Sequence, residues 1–304
     1  MVNRRCIRAY PSPMQTFLLS LRSWLRCSAI LTVAGLAGCN SLESRFYQPA
    51  ARDYSAPAGV EEHFATAQDG ASLQTWFLAA PSLRNGRIER APLLVFSPGS
   101  HTQIDELLPM LQPIAERADV SLMLFNYRSY GRSTGNTSVS RRSTLLDLRA
   151  AYALAMSRPD VDPTRTVLMG YSLGAVPTLA LASTNSDVAA VVVGGVYART
   201  GDLLDDEGYG LLTWLIGSHL DPEDSAEGLS GRPVFLFHGE EDADVPPYHA
   251  LELGSALLRA GARLELHLVP DANHRNVLTP ESELAGDLVQ FLREVLHAES
   301  PIDR

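Results

Sequence analysis

Short apolar runs alternate with longer segments of helical periodicity along most of this chain. The runs are apolar at nearly every position and end at glycine, proline or a polar residue, which is typical of strands buried on both faces of a sheet. They cover residues 93–96, 121–125, 166–169, 188–193, 234–237 and 264–269. Apolar residues recur at helical spacing over residues 103–118, 141–156, 173–182, 248–260 and 281–297. This alternation predicts an α/β fold, in which a mostly parallel sheet carries helices on both faces.

Two shorter runs, at residues 64–67 and 73–79, precede the alternating part of the chain. Asp69-Gly70 lies between them, and an Asp-Gly pair between two apolar runs is typical of a β-hairpin. Together with the six later runs they predict an eight-stranded sheet. We expect the folded domain to cover residues 60–298.

The N-terminal 38 residues differ from the rest in charge and hydropathy. Residues 1–27 contain arginines and no acidic residue, and residues 28–34 form a short apolar stretch. A basic region, a short apolar stretch and small residues before a boundary predict a signal peptide over residues 1–38. The apolar stretch is shorter than the roughly 20 residues that a membrane span needs. Translation starting at Met14 would give a more usual signal length.

The predicted signal peptide ends in Leu36-Ala37-Gly38-Cys39. This ending resembles the bacterial lipobox, which implies that Cys39 is lipidated and anchors the protein to a membrane of the cell envelope, facing the periplasm. Asn40 follows, and in similar lipoproteins a residue other than aspartate there implies the outer membrane. An uncleaved anchor helix and a chance cysteine are the alternative interpretations. Residues 39–59, with prolines, alanines and serines, predict a tether.

Composition excludes several classes of chemistry. The sequence has no lysine, so all 25 basic residues are arginines; this excludes a Schiff base, a P-loop lysine and a Ser-Lys dyad. The three cysteines lie within the first 39 residues, which leaves no thiol nucleophile or zinc-cysteine site in the domain. We expect no metal or other cofactor. The net charge of −10 becomes −15 without the first 38 residues, and so acidic a domain is unsuited to nucleic acid.

Gly170-Tyr171-Ser172-Leu173-Gly174 follows one predicted strand and precedes a predicted helix. Gly-x-Ser-x-Gly between a strand and a helix allows a sharp turn that exposes the serine hydroxyl. The N-terminus of the helix would also stabilise developing negative charge. The motif therefore predicts Ser172 as a nucleophile, the alternative being a strand-to-helix turn with a capping serine.

A serine nucleophile needs a base within hydrogen-bond reach and an acid that orients the base. His274 lies in a loop after the last predicted strand and is the candidate base. Asp242 lies in the loop after the preceding strand and is the candidate acid, with Asp244 and Glu241 as alternatives. The alternative interpretations without a catalytic role are a surface histidine for His274 and a solvated acidic loop for Asp242.

These motifs in combination resemble the α/β-hydrolase superfamily. They comprise residues 170–174, the His-Gly-x-x-Asp-x-x-Val-Pro segment at 238–246 and the later loop histidine. The chain looks closest to serine-aminopeptidase-like and ABHD17-like hydrolases, which carry a segment similar to residues 126–133. The resemblance covers residues 60–298 and implies the chain order serine, acid, histidine. It also implies that His238 is structural.

The resemblance further implies that the backbone N–H groups of Leu173 and Ser100 form the oxyanion hole. Relatives usually have His-Gly in the loop before Ser100, whereas this chain has Pro98-Gly99. Residues 199–232 form an insertion longer than an ordinary loop, which predicts either a small apolar lid or an amphipathic helix packed on the sheet.

The expected activity is hydrolysis of a carboxylic ester or thioester through an acyl-serine. A serine exopeptidase that cleaves short peptides is the second hypothesis. The third hypothesis is a lipid-tethered binding protein with an inactive hydrolase fold. Its support is Pro98, which stands where relatives usually have histidine.

Overall fold

The computed structural model describes residues 47, 49–135, 139–206, 208 and 221–297. They contain one eight-stranded sheet. Its strands are β1 (Glu61–Thr66), β2 (Ser72–Leu78), β3 (Ala91–Ser97), β4 (Ser121–Phe125), β5 (Val161–Tyr171), β6 (Val188–Gly194), β7 (Pro233–Gly239) and β8 (Arg263–Val269). The order across the sheet is β1-β2-β4-β3-β5-β6-β7-β8. β2 pairs antiparallel with β1 and with β4, and all other pairs are parallel. The predicted α/β fold with a mostly parallel sheet is confirmed.

Helices cover both faces of the sheet. They are α1 (Pro81–Arg84), α2 (Ile104–Ala118), α3 (Arg141–Met156), α4 (Ala175–Ser183), α5 (Thr200–Asp206), α6 (Tyr248–Arg259) and α7 (Glu283–His297). Apolar residues of α3, α4 and α6 pack with Leu93 and Val95 of β3 in one buried cluster. The alternate residues of β3, Leu94 and Phe96, point the other way and pack with α2 and α7. Because successive side chains of a strand alternate between faces, one apolar run serves two layers of helices.

The strand order brings the loops that carry the predicted site to one edge of the sheet. β3, β5, β6, β7 and β8 are neighbours and run parallel, so their carboxyl ends lie on the same side. The loops after β3, β5, β7 and β8 contain Ser100, Ser172, Asp242 and His274. Ligands of open parallel sheets bind beyond the carboxyl ends of the strands, which makes this edge the candidate site.

The last strand differs from the sequence-based expectation of burial on both faces. β8 is an edge strand that pairs with β7 alone, and Arg263, Glu265 and Leu266 are exposed. Its charged and apolar residues alternate, as expected for a strand with one solvated side. Helix α1 was not anticipated, because four residues are too few to show helical periodicity.

Residues 49–56, which composition assigns to the tether, contact the domain. Ala51 forms a parallel bridge with Gly131, and the N–H of Arg52 donates to the Gly131 carbonyl at 3.1 Å. Asn126 donates to the Tyr54 hydroxyl at 2.7 Å. The backbone of this extended segment thus finds partners on the domain, and the packed part of the chain starts before residue 60. The predicted signal peptide (residues 1–38) and Cys39 lie outside the described residues.

Within the part of the chain that the structure describes, no helix is both long and apolar enough to cross a bilayer. Of the predicted lid, residues 199–232, the structure describes residues 199–206, 208 and 221–232. The two ends are tied together, because the N–H of Thr200 donates to the Asp221 carboxylate at 3.0 Å and Arg199 pairs with Glu223.

Candidate active site

Ser172 lies at a sharp turn between β5 and α4. Its φ of 54° is in the left-handed region, which L-residues adopt at a cost of about 1–3 kcal/mol. The flanking glycines make this turn possible. A Cβ on Gly170 would collide with the Thr178 side chain on α4, and one on Gly174 would collide with the Ser97 and Pro98 carbonyl oxygens. The two glycines of the motif therefore let the turn approach both its own helix and the loop after β3.

His274 contacts Ser172 across 102 residues of sequence. Its Nε2 lies 3.0 Å from the serine Oγ, a separation that suits proton transfer from a hydroxyl to an imidazole. The Tyr171 hydroxyl donates to the His274 carbonyl oxygen at 2.5 Å, and the two rings pack 5.2 Å apart. Tyr171 thus fixes the histidine loop against the serine turn, a role that sequence reasoning missed although the residue lies inside the motif.

Asp242 contacts the opposite nitrogen of the histidine. Its Oδ2 lies 2.7 Å from His274 Nδ1, and its Oδ1 accepts from the N–H groups of Asp244 and Val245 at 3.0 and 2.8 Å. Burial acts to raise the pKa of the Asp242 carboxyl, but hydrogen bonds from His238, His274 and Val245 outweigh it and hold the pKa well below its usual range. The carboxylate therefore stays ionised at neutral pH and can stabilise a protonated His274.

The structure distinguishes Asp242 from the two acids that remained as alternatives. Glu241 and Asp244 are exposed, whereas Asp242 is 4% exposed and bonded to His274. His238, at the end of β7, is fully buried; its Nε2 donates to the Val245 carbonyl at 2.8 Å and lies 3.3 Å from the Asp242 carboxylate. It therefore supports the aspartate loop, in agreement with the structural position that the resemblance implies.

The loop after β3 passes directly beside the serine. A Cβ placed on Gly99 would lie 3.5 Å from the Cβ of Ser172. Ser100 is 7% exposed and lines the same cavity as Leu173, so both predicted oxyanion donors belong to segments that border the serine. Pro98 has no N–H group, but the predicted donor lies two residues later, so the proline does not remove it.

An open cavity of about 830 Å³ surrounds Ser172 and His274. One apolar group of lining residues belongs to the cluster beneath α2 and α7: Phe96, Leu107, Met110, Met169, Val277 and Leu278. A second apolar group belongs to a small cluster beside α5: Leu173, Tyr197, Leu203 and Val245. The charged lining residues Glu106, Asp244 and Arg275 are exposed, so they lie at the mouth. A mostly apolar interior with charges at its mouth suits an apolar substrate group.

This fold, with a serine turn at the carboxyl edge of its sheet, is that of the α/β-hydrolase superfamily, and the chain is a serine hydrolase of that class. The model of the prolyl oligopeptidase family matches residues 140–299, more than half of the chain. The chain belongs to this family. The matched region contains Ser172, Asp242 and His274 in the order that sequence reasoning predicted.

The chain is also similar to a protein of Escherichia coli and to two solved structures. The chain is 27% identical over 265 residues to the uncharacterized protein YfhR of Escherichia coli K12, an alignment that covers 84% of this chain and 88% of YfhR. An esterase of Pyrococcus furiosus superimposes with a TM-score of 0.65 at 17% identity, covering 83% of this chain and 98% of the esterase. An acylaminoacyl peptidase of Pyrococcus horikoshii gives 0.62 at 16% identity, covering 80% and 42%. Both superpositions show the fold.

Proposed function

We propose that this protein hydrolyses a carboxylic ester or thioester that carries an apolar acyl group. The supporting observation is the cavity beside Ser172, whose interior is mostly apolar and whose charged residues are exposed at the mouth. A fold shared by esterases and peptidases does not select between them. The choice therefore rests on the lining of the cavity.

The reaction follows from the contacts around Ser172. The Oγ attacks the acyl carbonyl carbon while His274 Nε2, 3.0 Å away, accepts the hydroxyl proton. The N–H groups of Leu173 and Ser100 donate to the oxyanion of the tetrahedral intermediate. As the acyl–oxygen or acyl–sulfur bond breaks, His274 returns the proton to the leaving alcohol or thiol. Water then attacks the acyl-serine by the same route, which releases the acid and restores Ser172.

A serine exopeptidase is the second candidate, favoured by the match to the prolyl oligopeptidase family. An exopeptidase that reads a free amino terminus needs a carboxylate held ready for the ammonium group. Among the described residues lining the cavity, the carboxylates are Glu106 and Asp244, and both are exposed. Glu106 already pairs with Arg52 at 2.7 Å. These observations favour an acyl group over an aminoacyl group.

A series of nitrophenyl esters tests the substrate class. We expect kcat/KM to rise by about fourfold for each methylene added to the acyl chain until the apolar cavity is filled, because each buried methylene contributes about 0.8 kcal/mol. Aminoacyl nitroanilides should be cleaved at least about 100-fold less efficiently than the best ester, measured as kcat/KM. A preference for the aminoacyl substrates would support the exopeptidase instead.

A variant with a bulkier side chain in the cavity distinguishes binding of the acyl chain inside the cavity from nonspecific hydrophobic attraction to the protein. Met110 is half-buried and lines the cavity, so Met110→Trp should move the best acyl chain to a shorter length. Leu258, 60% exposed on α6, offers the matched control, and Leu258→Trp should leave the chain-length profile unchanged.

We also propose that lipidated Cys39 anchors the enzyme to the outer membrane, with the domain facing the periplasm. The lipobox-like ending of the predicted signal peptide supports this.

In bacteria fed an alkyne fatty acid, wild type should take up the label and sediment with outer-membrane vesicles. Cys39→Ser should lose the label completely and no longer sediment with outer-membrane vesicles, since no acyl chains remain to anchor it there. Cys27→Ser, within the predicted signal peptide, is the matched control and should be labelled like wild type. A labelled Cys39→Ser protein would contradict the proposal.

A further inference from the structure

The loop that carries Ser100 is held by a tyrosine hydroxyl from the neighbouring loop. Tyr130 lies in the segment after β4, and its ring is 2% exposed. Its hydroxyl donates to the Ser100 carbonyl oxygen at 2.6 Å. We propose that Tyr130 is a positioning residue that holds the Ser100 N–H in the orientation needed to bind the oxyanion. This inference rests on the proposed function, in which Ser100 is an oxyanion donor.

The contact limits rotation of the donor residue from both sides. On one side, Gly99 lies close to the Ser172 turn, because a Cβ placed on it would lie 3.5 Å from the Ser172 Cβ, and this proximity restricts movement of the peptide that contains the Ser100 N–H. On the other side, the Tyr130 bond fixes the peptide that contains the Ser100 carbonyl. Since peptide groups are planar, anchoring both of them sets the two backbone dihedrals of Ser100. Its N–H direction is then fixed before any substrate arrives.

The tyrosine itself is rigidly held. The N–H of Tyr130 donates to the Tyr127 carbonyl at 3.0 Å, and the two rings meet edge to face 6.3 Å apart. The Tyr127 hydroxyl forms a 2.6 Å hydrogen bond with Ser97 Oγ at the start of the same loop. Tyr127 and Tyr130 therefore hold the end of β3 and the middle of the loop that follows it.

An ion pair inside the protein fixes the segment that carries the two tyrosines. Arg128 forms an ion pair at 2.6 Å with Asp147 of α3, and both side chains are fully buried. Arg128 also pairs with Asp69. The Arg128 backbone N–H donates to the Asp147 carboxylate at 3.0 Å. A buried charge pair of this kind resists rearrangement, because moving either partner would leave the other unpaired. The orientation of Ser100 is thus tied to α3 through Tyr130.

Oxyanion donors act on the transition state, so losing their alignment should lower kcat and leave substrate binding unchanged. Removing one donor from an oxyanion hole costs about 10²–10³ in kcat, and misaligning one should cost less. For Tyr130→Phe we expect kcat toward the best nitrophenyl ester to fall by about 10- to 100-fold, with KM within about twofold of wild type. Inhibition by a trifluoromethyl ketone, whose adduct carries an oxyanion, should weaken by a similar factor.

The matched control is Tyr152→Phe, which removes the hydroxyl of a buried tyrosine on α3. The kcat, KM and ketone inhibition of Tyr152→Phe should stay within about twofold of wild type, because the Tyr152 hydroxyl does not hold the loop that carries Ser100. Each kcat is expressed per site titrated with a fluorophosphonate, so a misfolded fraction of Tyr130→Phe does not enter the comparison. A Tyr130→Phe enzyme with wild-type kcat and ketone inhibition, or an equal loss in Tyr152→Phe, would overturn this inference alone. A wild type without esterase activity would overturn the proposed function as well.

Discussion

Replacing Ser172 with alanine is expected to lower kcat for ester hydrolysis by about 10⁵- to 10⁶-fold, as removal of a serine nucleophile does in other hydrolases. The reason is local: the Oγ at 3.0 Å from His274 is the group that would form the acyl intermediate. Without it, the remaining oxyanion donors can assist only direct attack by water. The measurement is kcat with the best nitrophenyl ester, together with fluorophosphonate labelling followed by mass spectrometry of the labelled peptide.

The fold should survive this substitution, which keeps the result interpretable. Alanine and serine carry the same Cβ, so the left-handed backbone at residue 172 is no more strained than before. Ser183→Ala in α4 removes a serine hydroxyl that bonds the Ala180 carbonyl and should label and react like wild type. Equal labelling of Ser172→Ala and wild type would show that a different residue is the nucleophile.

Much of the fold could be predicted because the signals that define it are local. An apolar run bounded by glycine or a polar residue identifies a strand without knowledge of its neighbours, and residues 121–125 and 141–156 match β4 and α3 at both ends. Four of the proposed site residues, Ser100, Ser172, Asp242 and His274, follow such runs, so their place at one edge of the sheet also follows from the pattern. The chain order that the resemblance implies then makes Ser172 and His274 the candidates for nucleophile and base, whereas Asp242 was separated from Glu241 and Asp244 by its contact with His274.

The contacts that orient these residues could not be predicted, since they depend on how distant loops meet. Tyr171 and the His274 carbonyl are 103 residues apart, and no local pattern pairs them. Tyr130 lies in the segment 126–133 that resembles related hydrolases, but its bond to Ser100 depends on β3 and β4 being neighbours. Likewise, the proline-containing segment before residue 60 resembles a tether by composition, although Ala51 pairs with Gly131 in the folded domain. Composition reports the tendency of a segment, whereas a specific partner decides its conformation.

Substitution of Asp242 is expected to have the second large effect on kcat, and the neighbouring Asp244 provides a matched control. We expect Asp242→Asn to lower kcat by about 10⁴-fold, because an amide that donates to Nδ1 would favour the histidine tautomer whose Nε2 carries the proton. That tautomer cannot accept a proton from Ser172, although the distances among the three residues would change little.

Asp244→Asn, two residues away and exposed at the cavity mouth, should keep kcat within about threefold, since its side chain does not contact His274 in the described structure. Both variants are measured as kcat against pH with the same nitrophenyl ester. Because asparagine cannot stabilise a protonated His274, activity of Asp242→Asn should recover in part at high pH, where hydroxide can assist attack by Ser172. A larger loss in Asp244→Asn than in Asp242→Asn would assign the orienting acid to Asp244.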